Sequence, residues 1–374
     1  TTTCTFRMNF TSATLAGQTR QRRPPKKQVP AENLLGAAGG SISAPNFCEH
    51  LMRTWSRPLL TSLQAWRIAT WQGDCSSTRQ VASFRMSGNT GLGSQMASFA
   101  GELSFAMEQG RHLVMVDNPS KPHLRVWQQL FLPTECAIPP SSDMMGNATR
   151  AWPKFQGRGG PTVHWHHSPE NVSRDEWVAA ASEYVMRAAT PTVIEAACAM
   201  QRRVFPNESE TKLGDLNSMI GLHMRWGDKT VREMQKINET VYEKAILGIC
   251  EAHTISAPIV ILSTQERDAR AAFLRMSLQH LNWRVYPLEA GEVHNKLNTF
   301  QSNNDITRLH KIWQTSLASL MLLLMARHFV LARGSNWARL IDDIRRTRID
   351  AMCGTCTSVV DLTPSDALCL RARC

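Results

Sequence analysis

The sequence predicts an α/β protein with two layers of parallel strands and helices flanking a cleft, on three observations. From residue 218 onward, short apolar runs alternate with amphipathic segments. The connections between them are short. An earlier strand, glycine-rich turn, helix and strand stand at 80–116, separated from the later series by a helical middle. Parallel neighbours need a crossover, and an intervening helix supplies it, so alternation of this kind implies parallel sheets with helices on both faces.

Each element follows from its own pattern. QVASFRM (80–86) reads as a short strand and HLVMV (112–116) as a buried one. Between them lies the helix QMASFAGELSFAMEQG, whose Met96, Phe99, Leu103 and Met107 share a face. Residues 117–170 are irregular, with many Pro, Gly and Trp. Residues 173–205 predict two helices broken at Thr190–Pro191, with Ser173 as N-cap and Glu176 completing a capping box. Strands SMIGLHMR, PIVILST, WRVYPL and HFVLA then alternate with helices ETVYEKAILGICEAH, ERDARAAFLRMSLQHL, DITRLHKIWQTSLASLMLLLMA and SNWARLIDDIRR. No internal repeat is evident. The expected organisation is a basic, low-complexity arm and stem over 1–78, within which 51–71 can form one or two helices. An N-terminal lobe follows over 79–205, then a C-terminal Rossmann-like lobe over 206–347 and a Cys-rich tail over 348–374.

Composition bounds the function. The chain has 374 residues, 43% hydrophobic and 20% charged, which excludes a disordered class and allows two domains. A net charge of +11 suits a nucleic acid, an anionic surface or a phosphate-bearing small molecule. Part of that excess sits in QTRQRRPPKKQ (18–28), which reads as a solvated arm. The 10 cysteines are even in number and scattered, and sequons stand at Asn9, Asn147, Asn171, Asn207 and Asn238. Both features fit an oxidising lumen. Cys353, Cys356, Cys369 and Cys374 resemble a loose zinc pattern, but irregular spacing without a nearby His favours disulfides. LASLMLLLMA (317–326) is about half a membrane span and reads as a buried helix; a membrane anchor, if the native protein has one, lies outside this sequence.

Three loops carry candidate chemistry. In SMIGLHMR, Ile220, Leu222 and Met224 face one way and His223 and Arg225 the other. Arg225, Asp228 and Lys229 then lie at the strand's carboxyl end, where open α/β sheets bind ligands. A guanidinium and an ammonium there would hold a phosphate or diphosphate; a local Arg225–Asp228 ion pair is the alternative. In SGNTGLGSQ, Gly91 and Gly93 allow close backbone approach and the next helix presents its amides, although a tight turn explains the same residues. In ARGSNWARL, Gly334, Ser335 and Asn336 open the last helix, as an anion site or a plain N-cap. HWHH (164–167) reads as a surface loop rather than a metal site, with Trp165 lining the cleft wall.

Together and in this order, these loops resemble the α-1,6-fucosyltransferase and protein O-fucosyltransferase superfamily, most closely its α-1,6 branch. HMRWGDK (223–229) is similar to its H-x-R-x-x-D-K signature and GLGSQ (91–95) to its glycine loop. VLARGSNWARL (330–340) resembles its late Ser motif, and EWVAAASEYVMR (176–187) the Trp-anchored helix before the signature. The resemblance covers roughly 80–347. It implies a two-lobed GT-B-like fold and inverting, metal-independent transfer of fucose from GDP-fucose to a glycan or protein hydroxyl in the Golgi lumen or after secretion. By that resemblance Arg225 binds the diphosphate, Lys229 stabilises the departing charge and Glu233 is the general base, with Asp228 in the same catalytic loop. His223 contacts guanine; Gly91, Gly93, Ser335, Asn336 and Arg339 complete the nucleotide pocket. It also leaves a homodimer open.

The sequence departs from that pattern at two points. Trp226 stands where a second Arg is usual. Ser319 falls where a guanine-binding carboxylate is expected, with Asp305, Asp342 or Asp343 as substitutes. Two alternatives follow: an inactive relative that binds nucleotide or glycan, and a basic structural or nucleic-acid-interaction protein.

Overall fold

The computed structural model describes residues 48, 51–52, 54–74, 81–84, 86, 91–116, 123–132, 172–205, 213–226, 236–288 and 305–363. Its centre is a five-stranded, wholly parallel sheet. The strands are β3 (Met219–His223), β4 (Ile259–Ser263), β5 (Arg284–Pro287), β6 (His328–Leu331) and β7 (Ser358–Asp361). Their order is β5-β4-β3-β6-β7. Continuous apolar runs such as IVILS suit strands covered on both faces, and β3, β4 and β6 are buried along their whole length. The chain winds outward from β3 through β4 to β5, then crosses back to β6 on the other side. The topological switch point therefore lies between β3 and β6.

Helices cover the two faces as the alternation predicts. Ile220, Leu222 and Met224 join Tyr242, Ile246 and Phe273 on one side, beneath α6 (Glu239–Ala252) and α7 (Arg267–Ser277). Met219, Ile261 and Phe329 pack on the other side against α8 (Ile306–Leu323) and α9 (Asn336–Ile344). Gly221 faces that second layer: a Cβ there would stand 3.1 Å from Ala326 and 3.2 Å from Leu323, so a side chain would have to push the end of α8 away from β3. The apolar run in α8 is core, and among the described residues no helix is long and apolar enough to cross a membrane.

The N-terminal unit is smaller. Strands β1 (Val81–Phe84) and β2 (His112–Met115) pair in parallel, joined by α2 (Leu92–Glu108), which follows α1 (Leu63–Gly73) in the chain. Next come α3 (His123–Leu130), α4 (Arg174–Val185) and α5 (Pro191–Val204). The expected break at Thr190–Pro191 is present, with Pro191 in the first helical turn. Ser173 caps α4 and Glu176 closes the capping box.

Three features differ from the sequence reading. The N-terminal sheet has, among the described residues, the two strands expected at 80–116, but its core is not separate from that of the large sheet: one buried cluster runs from Leu51 through Phe84 and Leu113 to Phe329 and Ile344. Residues assigned to the arm are built into this core. Leu51 and Trp55 are buried, and the α1 N-terminus is held by the Glu183 carboxylate, which accepts from the amides and hydroxyls of Thr61 and Ser62. The backbone continues from α9 through a π-helical turn (345–350), and the segment assigned to the tail returns as β7, an edge strand of the sheet. β7 was missed because SVVD is short and half-buried and follows a Cys-x-x-Cys turn. Cys353 pairs with Cys356 and Cys48 with Cys198, while Cys250 is free.

Candidate functional site

The register of the large sheet sets the site. His223 aligns with Ser263 on one side and Leu331 on the other, so β3, β4 and β6 end level. The segments leaving them, 224–226, 264–266 and 332–335, emerge at one edge.

At the switch point, α9 begins immediately after β6. Ser335 is its N-cap, in extended backbone, and its hydroxyl accepts from the Trp337 amide at 3.3 Å. The glycine loop meets this helix start from the other end of the chain. Asn336 Nδ2 donates to Ser94 Oγ at 2.9 Å. A Cβ on Gly93 would lie 3.2 Å from the Trp337 amide nitrogen and 3.3 Å from its Cα, whereas one on Gly91 would meet nothing within 4 Å. Gly93 thus serves backbone approach between two helix starts, and Gly91 leaves open space. The amino termini of α2 and α9 adjoin, and both bring positive dipole ends to the same place.

Arg225 lies at the same edge but leans toward β4. Its guanidinium donates to Gln265 Oε1 at 2.7 Å and pairs with Glu266 at 3.6 Å. Among the described residues Glu266 is an acid partner of Arg225; the Arg225–Asp228 pair considered from sequence involves a residue outside them. Gln265 and Glu266 were missed, although the carboxyl-end rule that singled out Arg225 applies equally to β4. Asp228, Lys229 and Glu233 lie outside the described residues, as do HWHH and Trp165.

His223 points to the α8/α9 side and is only 2% exposed. Neither ring nitrogen makes a hydrogen bond to a described residue. Burial, and secondarily the Arg225 charge, push its pKa down to about 3 against a weak opposing contribution from the Ser263 backbone. The imidazole is neutral at any physiological pH. Burial also raises the Tyr242 phenol on the opposite face, beside the Arg225 backbone.

Trp226 closes the other side of the strand end. Its Nε1 donates to the Ile237 carbonyl at 2.8 Å, and Lys236 Nζ sits 3.8 Å from its ring centroid. The indole and Ile237 are both buried in the core under α6. Residues 226 and 237 are thereby tied together, with Asn238 capping α6 just beyond.

The remaining candidates are placed as follows. Arg339 donates to the Arg333 and Gly334 carbonyls, at 2.8 Å and 3.0 Å, bracing the β6–α9 turn. Ser319 is buried against Met200, 3.5 Å from its sulfur. Asp342 is fully buried and pairs with Arg333 and Arg345, while Asp343 pairs with Arg346. Despite burial acting against it, these arginines hold the Asp342 carboxyl below the usual range. Asp305 caps α8 by accepting from the Arg308 amide. The acids considered as replacements at 319 therefore all have structural partners.

No family model matches the chain, and no curated protein matches it by sequence. Among solved structures it is similar to the crystal structure of NodZ α-1,6-fucosyltransferase soaked with GDP-fucose, with a TM-score of 0.40 and 16% identity over 71% of this chain and 92% of that one.

Proposed function

We propose that the chain is a GDP-fucose-dependent glycosyltransferase of the secretory pathway, with a GT-B-like organisation in which the two α/β units share one core. It transfers fucose with inversion, and without a metal, to a glycan or protein hydroxyl. The observation that carries the reading is the meeting of the Gly91–Ser94 loop with the Ser335–Trp337 helix start at the β3/β6 switch point. These segments are far apart in sequence, were singled out separately, and adjoin where a doubly wound sheet binds its nucleotide.

The roles follow from the chemistry. Cleaving the sugar–phosphate bond passes through an oxocarbenium-like state, and the leaving diphosphate accumulates charge. Two helix amino termini and Arg225 bring positive potential to that edge, and Lys229 is assigned the same task by the resemblance alone, so the reading calls on protein groups rather than a metal cation. Glu233 takes the acceptor proton, a contribution typically worth roughly 10²–10⁴-fold.

A second reading, nucleotide or glycan binding without turnover, draws on the Arg225–Glu266 pair and on the absence of a carboxylate at 319. Titration calorimetry with GDP, followed by GDP-fucose turnover, separates the two. Binding with turnover supports transfer, and binding without turnover supports the second reading. Failure to bind GDP, with salt-sensitive DNA or RNA binding instead, would return the protein to the basic-interaction class.

A further inference from the structure

We propose that Asn238 is a site of N-linked glycosylation, and that it carries a glycan on the rim of the molecule beside the Trp226 clasp. Asn238-Glu239-Thr240 is a sequon with no proline. The other sequons fall at residues outside those described, whereas this one has defined geometry. Asn238 and Thr240 are both exposed.

Asn238 is the N-cap of α6, with an extended backbone at φ −67° and ψ 148°. Its Oδ1 accepts from the Thr240 amide at 3.2 Å. That Asx turn uses the carboxamide oxygen and leaves Nδ2 without a hydrogen-bond partner among the described residues. The same turn fixes Thr240 two residues on, where the sequon requires a hydroxyl. The residue that carries the nitrogen to be modified is exposed, while its side-chain oxygen holds the helix start.

In the reaction, Nδ2 displaces a lipid pyrophosphate from the anomeric carbon of an activated oligosaccharide. A C–N bond forms, the C–O bond to phosphate breaks, and the host oligosaccharyltransferase takes one Nδ2 proton. The product is still an amide, and its oxygen still accepts from Thr240, so the α6 cap is retained. The preceding residue is anchored as well, because Ile237 is buried and its carbonyl is bonded by Trp226. A glycan at 238 thus extends from a fixed point without disturbing the fold.

This inference extends the proposed lumenal placement and does not depend on the donor chemistry. The test is peptide mass spectrometry of the full chain produced through the secretory pathway of a eukaryotic host, before and after peptide N-glycosidase. The expected result is conversion of residue 238 to Asp by the glycosidase, with loss of one glycan in Asn238→Asp and in Thr240→Ala, and retention in Thr240→Ser. Asn238→Asp preserves the capping oxygen, so its fold is not at risk. Glycans on other sequons with residue 238 bare would overturn the proposal and leave the lumenal reading standing. Secreted chain with no glycan at any sequon would overturn the proposal as well.

Discussion

The Glu266 carboxylate, 3.6 Å from the Arg225 guanidinium, competes with phosphate oxygens for that cation. Glu266→Gln should therefore tighten GDP binding severalfold, while Arg225→Ala weakens it at least tenfold; titration calorimetry reads both. Equal GDP affinity in all three proteins would mean that Arg225 only rounds off the strand. His223 makes a separate prediction. Its folded pKa of about 3 lies below the unfolded value of 6.5, so the unfolded chain binds more protons between those limits. Its contribution is complete above pH 6.5 and lost as pH falls toward 3, at up to roughly 1.4 kcal/mol per pH unit. His328, also lowered by burial, acts in the same direction. Urea midpoints at pH 7.5 and 5 should differ less in His223→Leu than in the wild type. At this scale the sequence was legible for facing and poor for partners. Alternation placed His223 opposite Ile220 and Leu222, but nothing in HMRW announced that its ring would be sealed from solvent or that Arg225 would lean toward β4.

Helix α2 and helix α9 meet at Gly93, where an added Cβ would stand a tight 3.2 Å from the Trp337 amide nitrogen. Gly93→Ala should push the two helix starts apart, costing about 1–3 kcal/mol as overpacking does, and should weaken GDP binding with them. Gly91→Ala meets no neighbour and should leave stability within about 0.5 kcal/mol. Thermal or urea unfolding of the pair checks this, and equal loss in both would remove the close-approach argument. Element existence was readable because period and capping agreed: Ser173 and Glu176 named the start of α4, and Pro191 the start of α5. The edge strand β7 was not, since an edge strand of half-buried residues has little apolar signal and its pairing with β6 depends on distant sequence. Trp226 was read as a missing cation; its indole proves to be a tie between the end of β3 and the start of α6.

Across the whole molecule the N-terminal helical segment and the C-terminal turn are locked together. Arg348 is fully buried, donates to the carbonyls of Met186, Arg187 and Thr54, and stacks 4.2 Å over Trp55. Burial brings its pKa down to about 10, with Glu183 opposing, so it stays charged at neutral pH. No local pattern in RRTRID distinguishes Arg348 from its neighbours, so its hold on Thr54 and Trp55, within the arm assigned over 1–78, could not be read from the sequence. The broad plan needed only the strand–helix rhythm; how the two units share a core needed contacts that span the whole chain.

The most direct measurement is release of GDP from GDP-fucose in the presence of a mixed glycan acceptor and a chelator, comparing wild type with Glu233→Gln. The account predicts chelator-insensitive turnover in the wild type and a loss of at least a hundredfold in the variant, with GDP affinity nearly unchanged. Turnover in the variant at the wild-type rate, or none in a wild type that binds GDP normally, would contradict it.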